Sequence, residues 1–318
     1  MGLKIAGIGQ GLPARRVSNH DLARLMDTSD AWISSRTGIE NRYICTDETL
    51  TDLSVAAARQ AARRAGLALS AIDLIICSTI GGDYRTPSLA CCIAERLSLS
   101  CPAFDINAAC TGFIYGLEVA SGFLSSRRAK KILFVCAEKL STQTDWRDRS
   151  TCVLFGDGAA ACVLTDGPAL KYLNLSVKAD TKILNLPAGT GNSPFATARQ
   201  DGGFLHMQGQ EVFKFAVSAL ENEIRQALET LQISPDGIDY FVLHQGNKRI
   251  VDFARTKLQQ PPEKFPVNID RYGNTSSASI PLLLLDLLED GQIKPGQTLF
   301  MSAFGAGMTI GSCVMAWE

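Results

Sequence analysis

Three short stretches carry side chains that could do chemistry together: Cys110 in "DINAACTGFIYG" (105–116), His244 in "VLHQGN" (242–247) and Asn274 in "RYGNTSSAS" (271–279). A thiolate with an imidazole and an amide donor makes a workable acyl-transfer set. The sulfur attacks a thioester carbonyl, and the two donors stabilise negative charge on an oxygen. Each residue alone also has an ordinary reading. Free cysteine is among the most buried residue types, so Cys110 fits a core position. It also stands where an apolar strand-like run gives way to a helix-like one, and a helix N-terminus favours the thiolate and lowers its pKa. His244 fits a satisfied core histidine at a strand end. Gly-Asn followed by small polar residues is common turn and cap chemistry.

The elements that must position these residues read as an α/β pattern. The segments 74–80 (LIICSTI), 131–138 (KILFVCAE), 159–165 (AAACVLT), 240–245 (YFVLHQ), 298–304 (TLFMSAF) and 311–317 (GSCVMAW) are the continuous apolar runs of strands covered on both faces. Between them lie helical patterns. In 211–231, Phe213, Ala216, Val217, Leu220, Ile224, Ala227, Leu228 and Leu231 keep the i, i+3, i+4, i+7 spacing. Strand alternating with helix argues for an α/β fold.

The order of elements repeats. "IDLIICST" leads through "FDINAACTGF" and a helix to "KKILFVCAE" and "AAACVLT"; "IDYFVLHQ" leads through "VNIDRYGNTSS" and a helix to "GQTLFMSAF" and "GSCVMAW". Superposing the two series sets Cys110 near Asn274, and two halves packed about a pseudo-twofold axis would turn His244 and Asn274 toward Cys110. Chance similarity of two apolar α/β patterns remains the alternative. The implied halves are 1–168 and 169–318.

Composition narrows the function classes. The chain has 318 residues, with 31 Lys+Arg against 32 Asp+Glu. That balance supplies no global attraction to nucleic acid or an anionic membrane, so a charged partner must meet a local patch. The longest apolar run, 280–285 (IPLLLL), is far short of a membrane span, and the N-terminus lacks the charged head and apolar stretch of a signal peptide. That N-terminus reads as a first strand and a glycine turn; the spacing of Gly7, Gly9 and Gly11 does not fit a dinucleotide loop. Ten cysteines scattered through apolar runs, with no C-x-x-C pair, fit a reduced, cytoplasmic setting better than a disulfide framework or a structural zinc site.

Seven ordered stretches resemble the thiolase superfamily and, within it, the β-ketoacyl-acyl-carrier-protein synthase III family: 30–42 (DAWISSRTGIENR), 105–113 (DINAACTGF), 148–161 (DRSTCVLFGDGAAA), 207–217 (MQGQEVFKFAV), 244–250 (HQGNKRI), 272–281 (YGNTSSASIP) and 304–312 (FGAGMTIGS). The resemblance implies a thiolase-like five-layered α-β-α-β-α fold made of two similar halves, a homodimer, and no metal or cofactor. It implies a decarboxylative condensation: Cys110 is acylated by a starter acyl-CoA such as acetyl-CoA, and His244 and Asn274 hold the thioester oxygen of malonyl-acyl-carrier protein as carbon dioxide leaves. The backbone N–H groups of Cys110 and Ala306 form the implied oxyanion hole, and Ala306 stands where the family commonly has glycine. Implied CoA contacts are Trp32, Arg36, Thr37, Arg149, Gln210 and Asn247, with Gln210 at a position where relatives carry Asn. Thr86, from a neighbouring subunit, and Phe304 are implied for the acyl pocket.

An acidic carrier protein needs a basic docking surface, for which Lys214, Lys248, Arg249, Arg255 and Lys257 are the candidates. The segment 187–203, rich in Gly, Pro and small polar residues, is expected to border the pocket. Rival readings are a condensing enzyme of secondary metabolism that uses other acyl-CoAs, an acyl-CoA thioesterase that gives the acyl-cysteine to water, and a non-catalytic acyl-binding scaffold. Product analysis, free-acid release without a malonyl donor, and absence of a covalent acyl adduct would distinguish them in turn.

Overall fold

A computed structural model of the chain describes residues 2–189, 194–195 and 202–318. The apolar runs become strands in two sheets. The first sheet has the spatial order Lys4–Gly11, Gly158–Thr165, Lys131–Glu138, Leu74–Ser78, Ala103–Ile106. The second has the order Tyr240–Leu243, Thr298–Gly305, Gly307–Ala316, Leu170–Asp180. Leu74–Ser78 is buried along its whole length, as a strand covered on both faces requires.

The two sheets repeat one pairing scheme. Leu74–Ser78 runs parallel to Lys131–Glu138, which runs antiparallel to Gly158–Thr165, which runs antiparallel to Lys4–Gly11. Tyr240–Leu243 likewise runs parallel to Thr298–Gly305, followed by antiparallel Gly307–Ala316 and Leu170–Asp180. Ala103–Ile106 is an additional edge strand of the first sheet.

Helices complete five layers. Leu50–Arg64 and Leu89–Arg96 cover the outer face of the first sheet in one apolar cluster. Gly209–Leu231 and Lys248–Leu258 cover the outer face of the second. Gly112–Ser125 and Ser279–Glu289 lie between the sheets, within a core drawn from both halves. The run 280–285 is therefore apolar all round because that helix is buried all round.

Two readings change. The N-terminal glycines do not form a turn: Gly7, Gly9 and Gly11 lie inside strand Lys4–Gly11, and a Cβ on any of them would collide with the backbone of helix Leu50–Arg64. They form a stripe that lets helix and strand backbones meet. Strand Leu170–Asp180 escaped the sequence reading because its second half is polar and partly exposed, leaving only Leu170 and Tyr172 buried. Among the described residues no helix is long and apolar enough to cross a membrane.

Candidate active site

The nucleophile candidate sits on a tight turn between strand Ala103–Ile106 and helix Gly112–Ser125. Ala109 takes a left-handed backbone angle (φ 47°), and residues Ala109–Thr111 make one 3-10 turn before the helix begins at Gly112. Such angles are costly for a residue with a Cβ and concentrate at functional sites. The Asn107 side chain accepts the Ala109 N–H at 3.2 Å and helps hold the turn. Cys110 is thereby half-buried at a cavity of about 1100 Å³.

The same cavity is lined by His244, Asn274 and Phe304 from the second half of the chain, so the structure brings the three candidates together. His244 is 3% exposed and follows strand Tyr240–Leu243; its Nδ1 lies 2.7 Å from Ser279 Oγ, and its ring meets Phe304 edge-on with centroids 5.4 Å apart. Burial pushes the imidazole down to about 4, so it is neutral at neutral pH. Ser279 Oγ also accepts the Gln245 N–H at 3.3 Å. With the Ser279 hydroxyl donating to Nδ1, the ring hydrogen sits on Nε2 as a donor. The Asn274 backbone is tied to the first half through Leu154 O at 2.9 Å and Gly156 N at 3.1 Å. Its Oδ1 accepts the Ser276 N–H at 2.8 Å, which leaves the amide NH2 as the free donor.

The thiol behaves differently from the expectation raised by its place before a helix. Burial pushes Cys110 up to about 12; the Ser276 hydroxyl bond and the turn's own N–H pull it down, while the Glu138 carboxylate adds to the rise. Desolvation outweighs the helix dipole here because the sulfur is enclosed and a carboxylate lies behind it. The oxyanion-hole candidates lie close together. Ala306 lines the cavity, and a Cβ on adjacent Gly305 would stand 2.9 Å from Cys110 N, so the two backbones meet closely. Ala306 itself avoids the left-handed region, which is taken by Gly307 (φ 77°) and Met308 (φ 55°). Alanine in place of the family's glycine therefore adds no strain.

At the cavity mouth, Trp32 has the guanidinium carbons of Arg36 and Arg149 at 4.6 and 5.1 Å from its ring centre. Arg149 does not itself line the cavity wall, and it donates to Asp27 O at 2.6 Å. Gln210 lines the mouth from the first turn of helix Gly209–Leu231. Two expected CoA contacts have structural duties that the resemblance did not reveal. Thr37 is 4% exposed, and its hydroxyl is shared between Ile33 O (2.7 Å) and Ile39 N (3.0 Å). Asn247 caps helix Lys248–Leu258 through Arg249 N (2.9 Å) and donates to Arg36 O (3.1 Å), tying two mouth segments together.

Thr86 is exposed and does not line this cavity. Three docking cations are already paired: Lys214 with Glu211 (2.8 Å), Lys248 with Asp252 (2.7 Å) and Lys257 with Glu221 (3.3 Å). Lys257 lies along a separate groove between helices Gly209–Leu231 and Lys248–Leu258. Arg249 and Lys214 line the active-site mouth, while Arg255 is half-buried. Leu184–Leu186, Leu205 and Met207 border the cavity on either side of the 187–203 segment, most of which lies outside the described residues. Among the described residues no group of three His, Cys, Asp or Glu is placed to hold a metal ion.

Residues missed from the sequence are Ser276, Ser279 and Glu138. The two serines stand in the stretch that supplied Asn274. Glu138 announced itself only as an acid ending the apolar run 131–138.

The family model described as 3-oxoacyl-[acyl-carrier-protein (ACP)] synthase III matches residues 104–181, and the model of its C-terminal part matches residues 228–317. The chain is 42% identical over 318 residues to the beta-ketoacyl-[acyl-carrier-protein] synthase III of Aquifex aeolicus, covering 100% of both chains. It is 43% identical to that of Clostridium perfringens, covering 98% of each. The solved structure of the Aquifex aeolicus 3-oxoacyl-[acyl-carrier-protein] synthase III superposes with a TM-score of 0.92 at 40% identity, covering 99% of this chain and 100% of that one.

Proposed function

The chain belongs to the 3-oxoacyl-[acyl-carrier-protein] synthase III family, and from that premise we propose that it joins a starter acyl-CoA to malonyl-acyl-carrier protein, giving 3-oxoacyl-carrier protein, carbon dioxide and CoA. The observation that carries this reading is the convergence of Cys110 from the first half of the chain and His244 and Asn274 from the second on one cavity. Cys110 Sγ attacks the acyl-CoA carbonyl, and the N–H groups of Cys110 and Ala306 receive the oxyanion. CoA leaves, and the acyl group stays on sulfur.

Malonyl-carrier protein then places its thioester oxygen between His244 Nε2–H and the Asn274 amide. The bond to the free carboxylate breaks, carbon dioxide departs, and the electron pair is held as an enolate whose oxygen carries the charge. Two neutral donors suit this step, because neither must give up a proton to stabilise that charge in a water-poor site. The enolate carbon attacks the acyl-cysteine carbonyl, and the C–S bond breaks to return the thiolate.

The mouth suits a pantetheine arm ending in a nucleotide. Trp32 offers an indole face, Arg36 and Arg149 offer forked donors for phosphate, and Gln210 offers an amide. Arg249 and Lys214 at the rim support approach of an acidic carrier protein. A homodimer fits the half-exposed edge strand Ala103–Ile106 and the exposed Thr86, which would reach the acyl pocket of a second copy. Ten free cysteines support a reducing compartment. Intact-mass measurement after mixing with acetyl-CoA tests the reading: an acetyl adduct that disappears when malonyl-carrier protein is added, with 3-oxobutanoyl-carrier protein formed, is the expected outcome. No adduct on Cys110 overturns it.

A further inference from the structure

Behind the nucleophile lies a buried carboxylate that the steps above do not use. Glu138, at the end of strand Lys131–Glu138, is fully buried. Its Oε1 accepts from Ser276 Oγ at 3.1 Å and Ser277 Oγ at 3.0 Å, and its Oε2 accepts from Ile80 N at 3.1 Å. Ser276 lines the same cavity as Cys110 while its hydroxyl donates to Glu138, so it links the wall beside the sulfur to the buried carboxylate. Ser276 holds this position at a left-handed backbone angle (φ 52°), with its N–H fixed by Asn274 Oδ1. A strained backbone, a hydroxyl on the nucleophile's cavity and a buried acid bonded to that hydroxyl are the parts of a general-base relay.

We propose that Ser276 and Glu138 form a proton relay behind Cys110, in which the Ser276 hydroxyl takes the thiol proton and gives its own to Glu138 as the sulfur attacks the acyl-CoA. The inference rests on the acyl-cysteine reading above. As the S–H bond breaks, the new S–C bond forms and the proton rests on Glu138 Oε1. When the tetrahedral adduct collapses, the C–S bond to CoA breaks and the proton returns through Ser276 to the departing CoA sulfur. Glu138 is a carboxylate again, and the half-reaction closes with no other reactant.

The relay answers a difficulty in the site. A thiol pushed up to about 12 must lose its proton during attack rather than before it. His244 is a weak base for this proton, since burial pushes its imidazole down to about 4. Burial raises Glu138 to about 7, where a carboxylate both accepts and returns a proton readily. The titratable groups facing it are the thiols of Cys110, of Cys77 on strand Leu74–Ser78 and of Cys136 on its own strand. Those last two are pushed up by burial and stay protonated.

The test is single-turnover release of CoA from acetyl-CoA between about pH 5.5 and about pH 9, in the wild type and in Glu138→Gln. The wild-type rate should rise through a limb near pH 7; the variant should lose that limb and acylate about 100-fold more slowly. A Glu138 that is only a buried charge opposes the thiolate, so its removal would speed acylation and iodoacetamide alkylation alike. That result, or an unchanged rate and limb, overturns the relay. Should Glu138→Gln fail to fold, Ser276→Ala decides: about 100-fold slower acylation with alkylation at high pH retained supports the relay, and wild-type acylation overturns it. Absence of an acetyl adduct on the wild-type protein instead overturns the acyl-cysteine reading beneath it.

Discussion

Two turns in this molecule share one backbone design and do different work. In the first half, Asn107 accepts the N–H of left-handed Ala109, a 3-10 turn covers Ala109–Thr111, and helix Gly112–Ser125 follows. In the second, Asn274 accepts the N–H of left-handed Ser276, a 3-10 turn covers Ser276–Ala278, and helix Ser279–Glu289 follows. The repeat thus matches Asn107 with Asn274 and Cys110 with Ser277, three residues away from the alignment of Cys110 with Asn274 that the sequence suggested. In one copy the residue after the strained position is Cys110, the proposed nucleophile, on the cavity wall. In the other it faces Glu138, and Asn274 is the proposed charge stabiliser on the cavity wall. Duplicating a turn supplies rigidity twice, and substitution within each copy puts a different side chain on the cavity.

Exchanging the nucleophile breaks the comparison most severely. Cys110→Ser should abolish the acetyl adduct on intact mass and lower condensation by more than about 1,000-fold. The two asparagines come next. Asn274→Ala should slow malonyl decarboxylation by about 100- to 1,000-fold while leaving CoA release from acetyl-CoA within a few-fold, since one oxyanion donor is lost. Asn107→Ala removes only a turn contact and should cost about 1 kcal/mol, read as a Tm lower by about 2 °C, with decarboxylation little changed. Equal losses in both variants would mean that the copies had not diverged in role.

His244 sharpens the comparison by pH. Its folded pKa is depressed to about 4 from an ordinary value of 6.5, so the buried neutral ring contributes stability that is present above about 6.5 and lost as pH falls through about 4. Thermal melting of the wild type against His244→Gln should show the wild type losing about 3 kcal/mol relative to the variant across that window. The smallest effect belongs to the strained position itself. Ala109→Gly should raise stability by about 0.5–1 kcal/mol in urea unfolding, because glycine takes the left-handed angle without a Cβ penalty.

Much of this was legible in the chain. Continuous apolar runs marked the buried strands, the repeated order of elements marked the two sheets, and Cys110, His244 and Asn274 stood out by residue type and setting. These features are local, since burial on two faces and turn geometry leave their mark within a few neighbouring residues. What escaped was decided between distant parts. The Ser276–Glu138 contact spans 138 residues. Thr37 and Asn247 line the cavity, and only the fold showed that their polar groups also hold local backbone: Thr37 bonds Ile33 O and Ile39 N, and Asn247 caps helix Lys248–Leu258. The sequence by itself determined the layered α/β plan and which side chains are the candidates for the chemistry. The tertiary structure alone decided their proton affinities and hydrogen-bond partners, because desolvation and pairing depend on which atoms the closed fold places around each group.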